Sequence, residues 1–385
     1  MTLNTYFTDT LKQMIHKPMG ILPYHFITPS AITDLTLDRQ NGGYGQQYDW
    51  DLYFIGVALA RKRPDLMPFF KEALLNTIHF IAPSGHTPRV LSPYRFYDPY
   101  DQHKPFLAQG VLLAAETLDD SSWITPDVWA KLVAYMNYWE ERRGFHGLTR
   151  WKSAMESGVD NNATTVNMED LSAESVDAST YFYLENQAMA SLARMLSQDT
   201  SRWELQMKHL KHSINAIFWH EERGSYYDVL NFSDANAEHI LVDSWTNMVP
   251  LWAGLASQQQ ADRIVQDYLL NTDRFRSPHG LRSLSKEDPQ YNTAKRFTIY
   301  LHAEKRRWTV SNWQGPVWIV ANWILLEGMK QYGYHTEAKA IAADLRKTME
   351  RDLSDTGTLH ENYDPDRGNG LWASNFGSWN LLMWE

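Results

Sequence analysis

Apolar residues recur along this chain with the period of a helix. From Pro126 onward, Val128, Trp129, Leu132, Val133, Met136 and Trp139 fall on one face. Thr125 ahead of Pro126 reads as an N-cap followed by proline at the first helical position. Within 176–197, Leu184, Ala188, Leu192 and Met195 repeat at helical spacing, and within 335–353 a stripe runs through Ala338, Ile341, Ala342, Leu345 and Met349, with Thr336 as the predicted cap. Less regular stretches cover 5–16, 50–62, 65–80, 104–119, 202–219, 243–256, 258–271, 316–332 and 374–384. The pattern therefore predicts about twelve helices. Strand-like alternation is confined to fragments such as "SYYDVL" and "RFTIYL".

Helices in this number, with no heptad repeat, pair naturally into six hairpins. Such hairpins close into an all-α toroid, the (α/α)6 barrel, which leaves no open end to cap; an open solenoid is the competing arrangement. The connections at 144–175 and 272–315 are much longer than helix-bundle loops require, and long loops gathered on one rim carry the site. No Pro/Gly/Ser linker or composition shift divides the chain, so a single domain over 1–385 is expected.

Composition narrows the function. The chain of 385 residues is 43% hydrophobic and 21% charged, with a net charge of −10 and no basic run. That balance argues against nucleic acid or an anionic membrane as partner and suits a neutral or weakly charged small molecule. Cysteine is absent, which excludes disulfides and thiolate sites. The first twenty residues lack the basic and apolar segments of a secretory leader, and the longest apolar run, "PVWIVANWILL", is too short to span a bilayer, so a cytoplasmic location is expected. Self-association is compatible with the sequence. The 16 Trp and 20 Tyr are the unusual feature. Many sit in polar, Gly-rich company, as in "LSPYRFYDPYDQ", where flat rings with a polar edge suit sugar stacking as well as they suit loop packing.

Three segments hold candidate chemistry. In "NGGYGQQYDWDLYF" (41–54), Tyr48, Asp49, Trp50 and Asp51 stand at a predicted helix start; on chemistry alone the carboxylates there favour the helix N-terminus. In "RWKSAMESGVDNNATT" (150–165), Asp160 follows Gly158 in good turn material, and Glu156 is its rival as a proton donor. In "LHENYDPDRGNGLW" (359–372), Glu361 precedes a turn in which Asp364 and Asp366 flank Pro365. Asp160 and Glu361 meet only if the helical array closes on itself, and glycoside hydrolysis needs such a carboxylate pair. The 14 His are scattered, and no zinc signature, dinucleotide loop, phosphate loop or serine-hydrolase elbow is present, so neither metal nor cofactor is expected.

These segments, in order, resemble glycoside hydrolase family 63, a group of inverting α-glycosidases that includes bacterial mannosylglycerate and glucosylglycerate hydrolases, and more distantly trehalase. "GGYGQQYDWDLYF" looks like the family's Gly-Gly…Tyr-x-Trp-Asp-x-Tyr signature, shortened by one residue. "HKPFLAQGVL" looks like its Pro-Pro-x-Leu-Ala stretch, with Phe106 in place of the second proline. "ESGVDNN", "ESVDASTYFYLENQAMASLA", "SLSKEDPQY", "SNWQGPVWIVANW" and "HENYDPDRGNG" are similar to the segments that follow in that family.

The resemblance implies an (α/α)6 barrel, Asp160 as general acid, Glu361 as general base and inversion at the anomeric carbon. It puts Tyr48, Trp50, Asp51, Gln109, Trp313 and Gln314 in the sugar subsite. The implied substrate is a small α-glycoside, glucosylglycerate or mannosylglycerate first and a short α-gluco-disaccharide second. A glycerate carboxylate needs a cation, for which Arg89, Arg95 and Arg282 lie in suitable segments. Two readings of other classes compete. One is a sugar epimerase on the same scaffold using His302 or His360, and the other is a sugar-binding protein on an inactive barrel.

Overall fold

Each predicted helical stretch is helical in the structure, although not always as a regular α-helix. In this computed structural model the chain is described except for residues 33, 36–42, 95–100, 167, 232–236, 302–305 and 385, with the backbone alone at 297–301 and 306–309. The helices are α1 (Leu3–Met14), α2 (Asp49–Lys62), α3 (Met67–His79), α4 (Leu107–Leu118), α5 (Pro126–Glu140), α6 (Ala154–Ser157), α7 (Val176–Met195), α8 (Ser201–Ser213), α9 (Gln258–Ile264), α10 (Ile319–Gln331) and α11 (His335–Thr356). α8 and α9 each run on into a π-helical turn, Ile214–Phe218 and Val265–Leu269.

Two predicted helices are 3-10 helices instead. The first, Trp245–Leu251, contains Pro250, which has no N–H to donate and whose ring collides with the preceding turn of an α-helix. The second is Ser378–Met383. Capping follows the sequence at α5, where Thr125 Oγ1 accepts from the Val128 amide at 3.3 Å behind Pro126. At α11 it does not. Tyr334 occupies the cap position, and Thr336 lies inside the first turn, because Gly333 at φ +87 turns the chain into the helix earlier. The short α6 within the 144–175 connection was not expected either.

Two kinds of helix alternate. α10 buries all of its residues except Glu327, Lys330 and Gln331, as a helix that is apolar on every side must. α11 buries one stripe, through Ala338, Ile341, Leu345, Met349 and Leu353, and exposes the rest. The type buried on most of its sides forms an inner ring. α2 packs on α4, α4 on α7, α7 on Trp245–Leu251, that helix on α10, α10 on Ser378–Met383, and Ser378–Met383 back on α2. α3, α8 and α11 lie outside, against α4, α7 and α10. The ring is thus closed, and the fold is an (α/α)6 barrel. Its axis is filled by aromatic side chains, with Phe54 and Phe106 5.6 Å apart, Phe54 and Trp323 5.8 Å apart, and Phe106 and Tyr181 4.7 Å apart.

The strands among the described residues are short antiparallel pairs on the connections. The longest, Phe297–Leu301 with Arg306–Val310, takes in "RFTIYL" from its second residue on. "SYYDVL" supplies Ser225–Tyr226 and Val229–Leu230, which pair with different partners. No helix of the described residues is long and apolar enough to cross a membrane.

Candidate active site

Above the aromatic axis lies a cavity of about 450 Å³, its open mouth included. Its lining comprises Tyr44, Tyr48, Asp49, Trp50, Asp51, Arg89, Lys104, Gly158, Asp160, Ser311, Trp313, Glu361, Phe376 and Trp379. These positions come from both ends of the chain and from its middle, which only a closed ring brings together.

α2 supplies one wall. The pairing of Gln47–Tyr48 with Val90–Leu91 fixes where the helix starts, so Asp49, Trp50 and Asp51 occupy its first turn, where the positive end of the helix dipole favours carboxylates. Asp49 Oδ1 accepts from the Trp50 amide at 2.8 Å, and Asp49 Oδ2 from the Lys104 amide at 2.9 Å. Lys104 Nζ stands 2.9 and 3.1 Å from the two Asp49 oxygens. Burial opposes the charge on Asp49, but Lys104, His103 and Arg89 together hold its carboxyl below the usual range. Burial likewise pulls Lys104 below the lysine range, against the attraction of Asp49. Asp51 feels Lys104 only weakly. Burial pushes its carboxyl up to about 7, opposed by a 2.6 Å hydrogen bond from Ser378 Oγ and reinforced by the charge of Asp49.

A second wall carries Asp160. α6 ends at Gly158 with φ +78, and a Cβ there would lie 2.7 Å from Lys104 Cε and 3.1 Å from the Trp50 ring. Only glycine fits a left-handed turn held that closely. Two residues on, Asp160 Oδ2 accepts from Ser311 Oγ at 3.0 Å. Asn161 staples this turn to the segment before α10. Its Oδ1 accepts from the Trp313 amide at 2.6 Å, its Nδ2 donates to Asn312 Oδ1 at 3.0 Å, and its carbonyl accepts from Gln314 Nε2 at 3.0 Å.

Glu361 forms the third wall. Its amide donates to the Ala373 carbonyl at 3.0 Å and its carbonyl accepts from Trp379 Nε1 at 3.1 Å, so its backbone is fixed on both sides. Its Oε1 accepts from the Tyr44 hydroxyl at 2.8 Å, and that hydroxyl accepts in turn from Trp372 Nε1 at 3.2 Å. Indole rings make the floor. Trp313 stacks on Trp318 at 3.7 Å with 6° between planes, and Trp50 lies 5.7 Å from both Trp313 and Trp379.

The structure therefore brings Asp160, Glu361, Tyr48, Trp50, Asp51 and Trp313 onto one cavity. Gln109 and Gln314 stand outside its lining. The amide of Gln109 donates to the Pro105 carbonyl at 2.7 Å one turn back, and that of Gln314 is used in the Asn161 staple. Glu156 is also elsewhere, fully buried against Arg142, whose two terminal nitrogens each lie 3.2 Å from a carboxylate oxygen. Asp364 behaves as a turn residue, its Oδ1 accepting from the amides of Asp366 and Arg367 at 2.9 and 2.8 Å.

Of the three arginines considered for a carboxylate, Arg89 is on the lining. Arg282 instead ties loops together, donating to the Thr272 carbonyl at 3.3 Å and the Tyr291 hydroxyl at 3.2 Å, and Arg95 lies outside the described residues. His302 is also outside them, and His360 is held through Nδ1 by Asp352 at 2.9 Å. Tyr44, Asp49, Lys104, Ser311, Phe376 and Trp379 are lining residues that sequence reasoning did not assign. Of these, Asp49 reads in sequence only as a carboxylate at a helix start, and Lys104 stands out only as a cation just ahead of the apolar "PFLA".

The family model of the mannosylglycerate hydrolase MGH1-like glycoside hydrolase domain matches residues 44–379. A mannosylglycerate hydrolase of Rubrobacter radiotolerans is 30% identical over 195 residues, 51% of this chain and 39% of that protein. The chain thus spans about two-fifths of that relative's length in the match. Among solved structures, the glycoside hydrolase family 63 mannosylglycerate hydrolase from Thermus thermophilus in complex with glucose superposes with a TM-score of 0.75 at 20% identity, over 99% of both chains. A neutral trehalase from Saccharomyces cerevisiae does so with a TM-score of 0.68 at 15% identity, over all of this chain and 79% of the other. Both structural likenesses speak to the fold.

Proposed function

Because the chain belongs to the mannosylglycerate hydrolase MGH1-like glycoside hydrolase domain family, we propose that it is an inverting α-glycosidase acting on a small α-glycoside, with glucosylglycerate or mannosylglycerate as the preferred substrate. The barrel is the catalytic domain in this reading, and it works in the cytoplasm. Asp160, protonated, gives its proton to the glycosidic oxygen as the bond to the anomeric carbon breaks. Glu361 takes a proton from a water molecule that attacks the same carbon from the opposite face, so the sugar leaves with inverted configuration. Tyr48, Trp50, Asp51 and Trp313 hold the sugar ring, the indoles against its apolar face and the carboxylate on its hydroxyls. Arg89 is the cation offered to a glycerate carboxylate.

The observation that carries this reading is that Asp160 and Glu361, which belong to distant parts of the sequence, line the same tryptophan-floored cavity. The relatives named as mannosylglycerate hydrolases support the choice of substrate.

The test is proton NMR of the purified protein with mannosylglycerate, glucosylglycerate, trehalose, kojibiose and nigerose. Initial release of the β-anomer of the sugar from one of the glycerate glycosides is expected. First appearance of the α-anomer would make one carboxylate a nucleophile and overturn the inverting assignment. Turnover of a disaccharide in place of the glycerate glycosides would move the substrate to that class.

A further inference from the structure

Lys104 is the most unusual residue on the cavity wall. Its side chain is 2% exposed, as little as that of a core leucine, yet it belongs to the lining. An ammonium has three N–H donors and no acceptor. Here the two Asp49 oxygens, at 2.9 and 3.1 Å, take two of them, and the face of Trp50 lies 4.9 Å away. Among the described residues no further protein oxygen meets Nζ, so one donor is left on the cavity wall. A buried donor without an acceptor is costly, and a ligand oxygen would relieve that cost.

The surroundings say what kind of oxygen. Asp49 already neutralises the ammonium, and Asp51 stands on the same helix turn, so an incoming carboxylate would meet two acidic neighbours. A hydroxyl would not, and it can accept from Lys104 while donating to a carboxylate. Lys104 also lies against the Asp160 turn, since a Cβ on Gly158 would stand 3.0 Å from Nζ. An oxygen bound there is close to the floor formed by Trp50 and to the turn bearing the proposed acid.

We propose that Lys104 donates its remaining N–H to one hydroxyl of the sugar ring and so selects the configuration of the substrate at that carbon. The inference rests on the glycosidase reading and adds a specificity-determining residue to it. Its rival is that Lys104 serves only as the counter-ion of Asp49.

Calorimetric titration separates the two. D-glucose and D-mannose are titrated into the wild type, then the monodeoxy analogues of whichever is bound, and the series is repeated with the Lys104→Met/Asp49→Asn double variant. The double substitution removes the ion pair as a unit and so leaves no lone buried charge; a thermal melt checks that it folds. The variant is expected to bind the parent sugar about ten- to a hundredfold more weakly. It is also expected to be indifferent to the loss of one particular hydroxyl that the wild type requires. Asp49→Asn alone, which keeps the ammonium, retains that requirement. Equal affinity in the double variant, or wild-type sensitivity at every hydroxyl, would leave Lys104 as a counter-ion and overturn the inference. A wild type that binds neither sugar yet turns over a glycoside in the NMR assay overturns this inference alone, whereas no turnover of any glycoside overturns the glycosidase reading and this one with it.

Discussion

At the scale of single residues, the two carboxylates are expected to fail differently when neutralised. Asp160→Asn and Glu361→Gln should each lower kcat on a natural glycoside by roughly 10²–10⁴-fold, the ordinary worth of acid or base catalysis. A glycosyl fluoride needs no proton on its leaving group. Asp160→Asn should therefore recover most of its activity on the α-glycosyl fluoride, while Glu361→Gln should not, because the attacking water still lacks its base. Steady-state kinetics on the two substrates measure this, and equal recovery by both variants would reverse or dissolve the assignment of roles.

The residue scale is also where sequence reading was least complete. That Asp160 and Glu361 share one cavity was legible through the motifs around them. Gln109 and Gln314 sit in equally recognisable segments, but a motif does not say where an amide points, and both point to backbone carbonyls. Lys104 was hidden because its meaning depends on Asp49, 55 positions earlier.

Elements were read far better, since apolar spacing is a local signal that burial later enforces. The misreadings have local causes too. Pro250 forces a 3-10 helix where the spacing alone gave an α-helix, and Gly333 moves the start of α11 ahead of Thr336. What spacing could not rank is the inner against the outer position, because the inner helices bury polar residues such as Asp177 and Glu185 along with their apolar ones. Ile324 on α10 is fully buried in the ring. Ile324→Ala should cost about 2–5 kcal/mol of stability, the range for a large side chain removed from a packed core. Urea unfolding reads this directly, and a loss under about 1 kcal/mol would mean that the ring tolerates a void there.

At the scale of the whole molecule, closure of the ring buries acidic groups, and this gives the protein a pH dependence. Burial, with the charge of Asp228 adding to it, pushes Asp177 up to about 7. Burial likewise raises Glu185 and Asp51 to about 7 and Asp228 to about 6. In the unfolded chain such groups release their protons near pH 4. Between pH 4 and 7 the native state therefore holds protons that the unfolded state has lost, and raising the pH favours unfolding. This stability is complete below the unfolded values and is lost as pH rises through the folded ones. Melting temperature should thus fall from pH 5 toward pH 8. Asp177→Asn keeps an oxygen for the 2.8 Å bond from Trp151 Nε1 and should flatten the fall, by roughly 1.4 kcal/mol per pH unit for the one group removed. An unchanged slope in the variant would show that Asp177 titrates normally.

Ring closure also fixes when the cavity can come into being. Asp51, at the start of the first inner helix, is bonded to Ser378, at the start of the last, and the floor that begins with Trp50 is finished by Trp379. During synthesis the chain emerges from its N-terminus onward, so five of the six inner elements are available before the sixth has left the ribosome. Until then the would-be pocket is an open trough whose Glu361 lacks the bond from Trp379 Nε1. Sugar binding should accordingly be absent from nascent chains stalled before residue 376 and appear once the last inner helix is released, so that Ser378–Met383 acts as the latch on the five inner elements made before it.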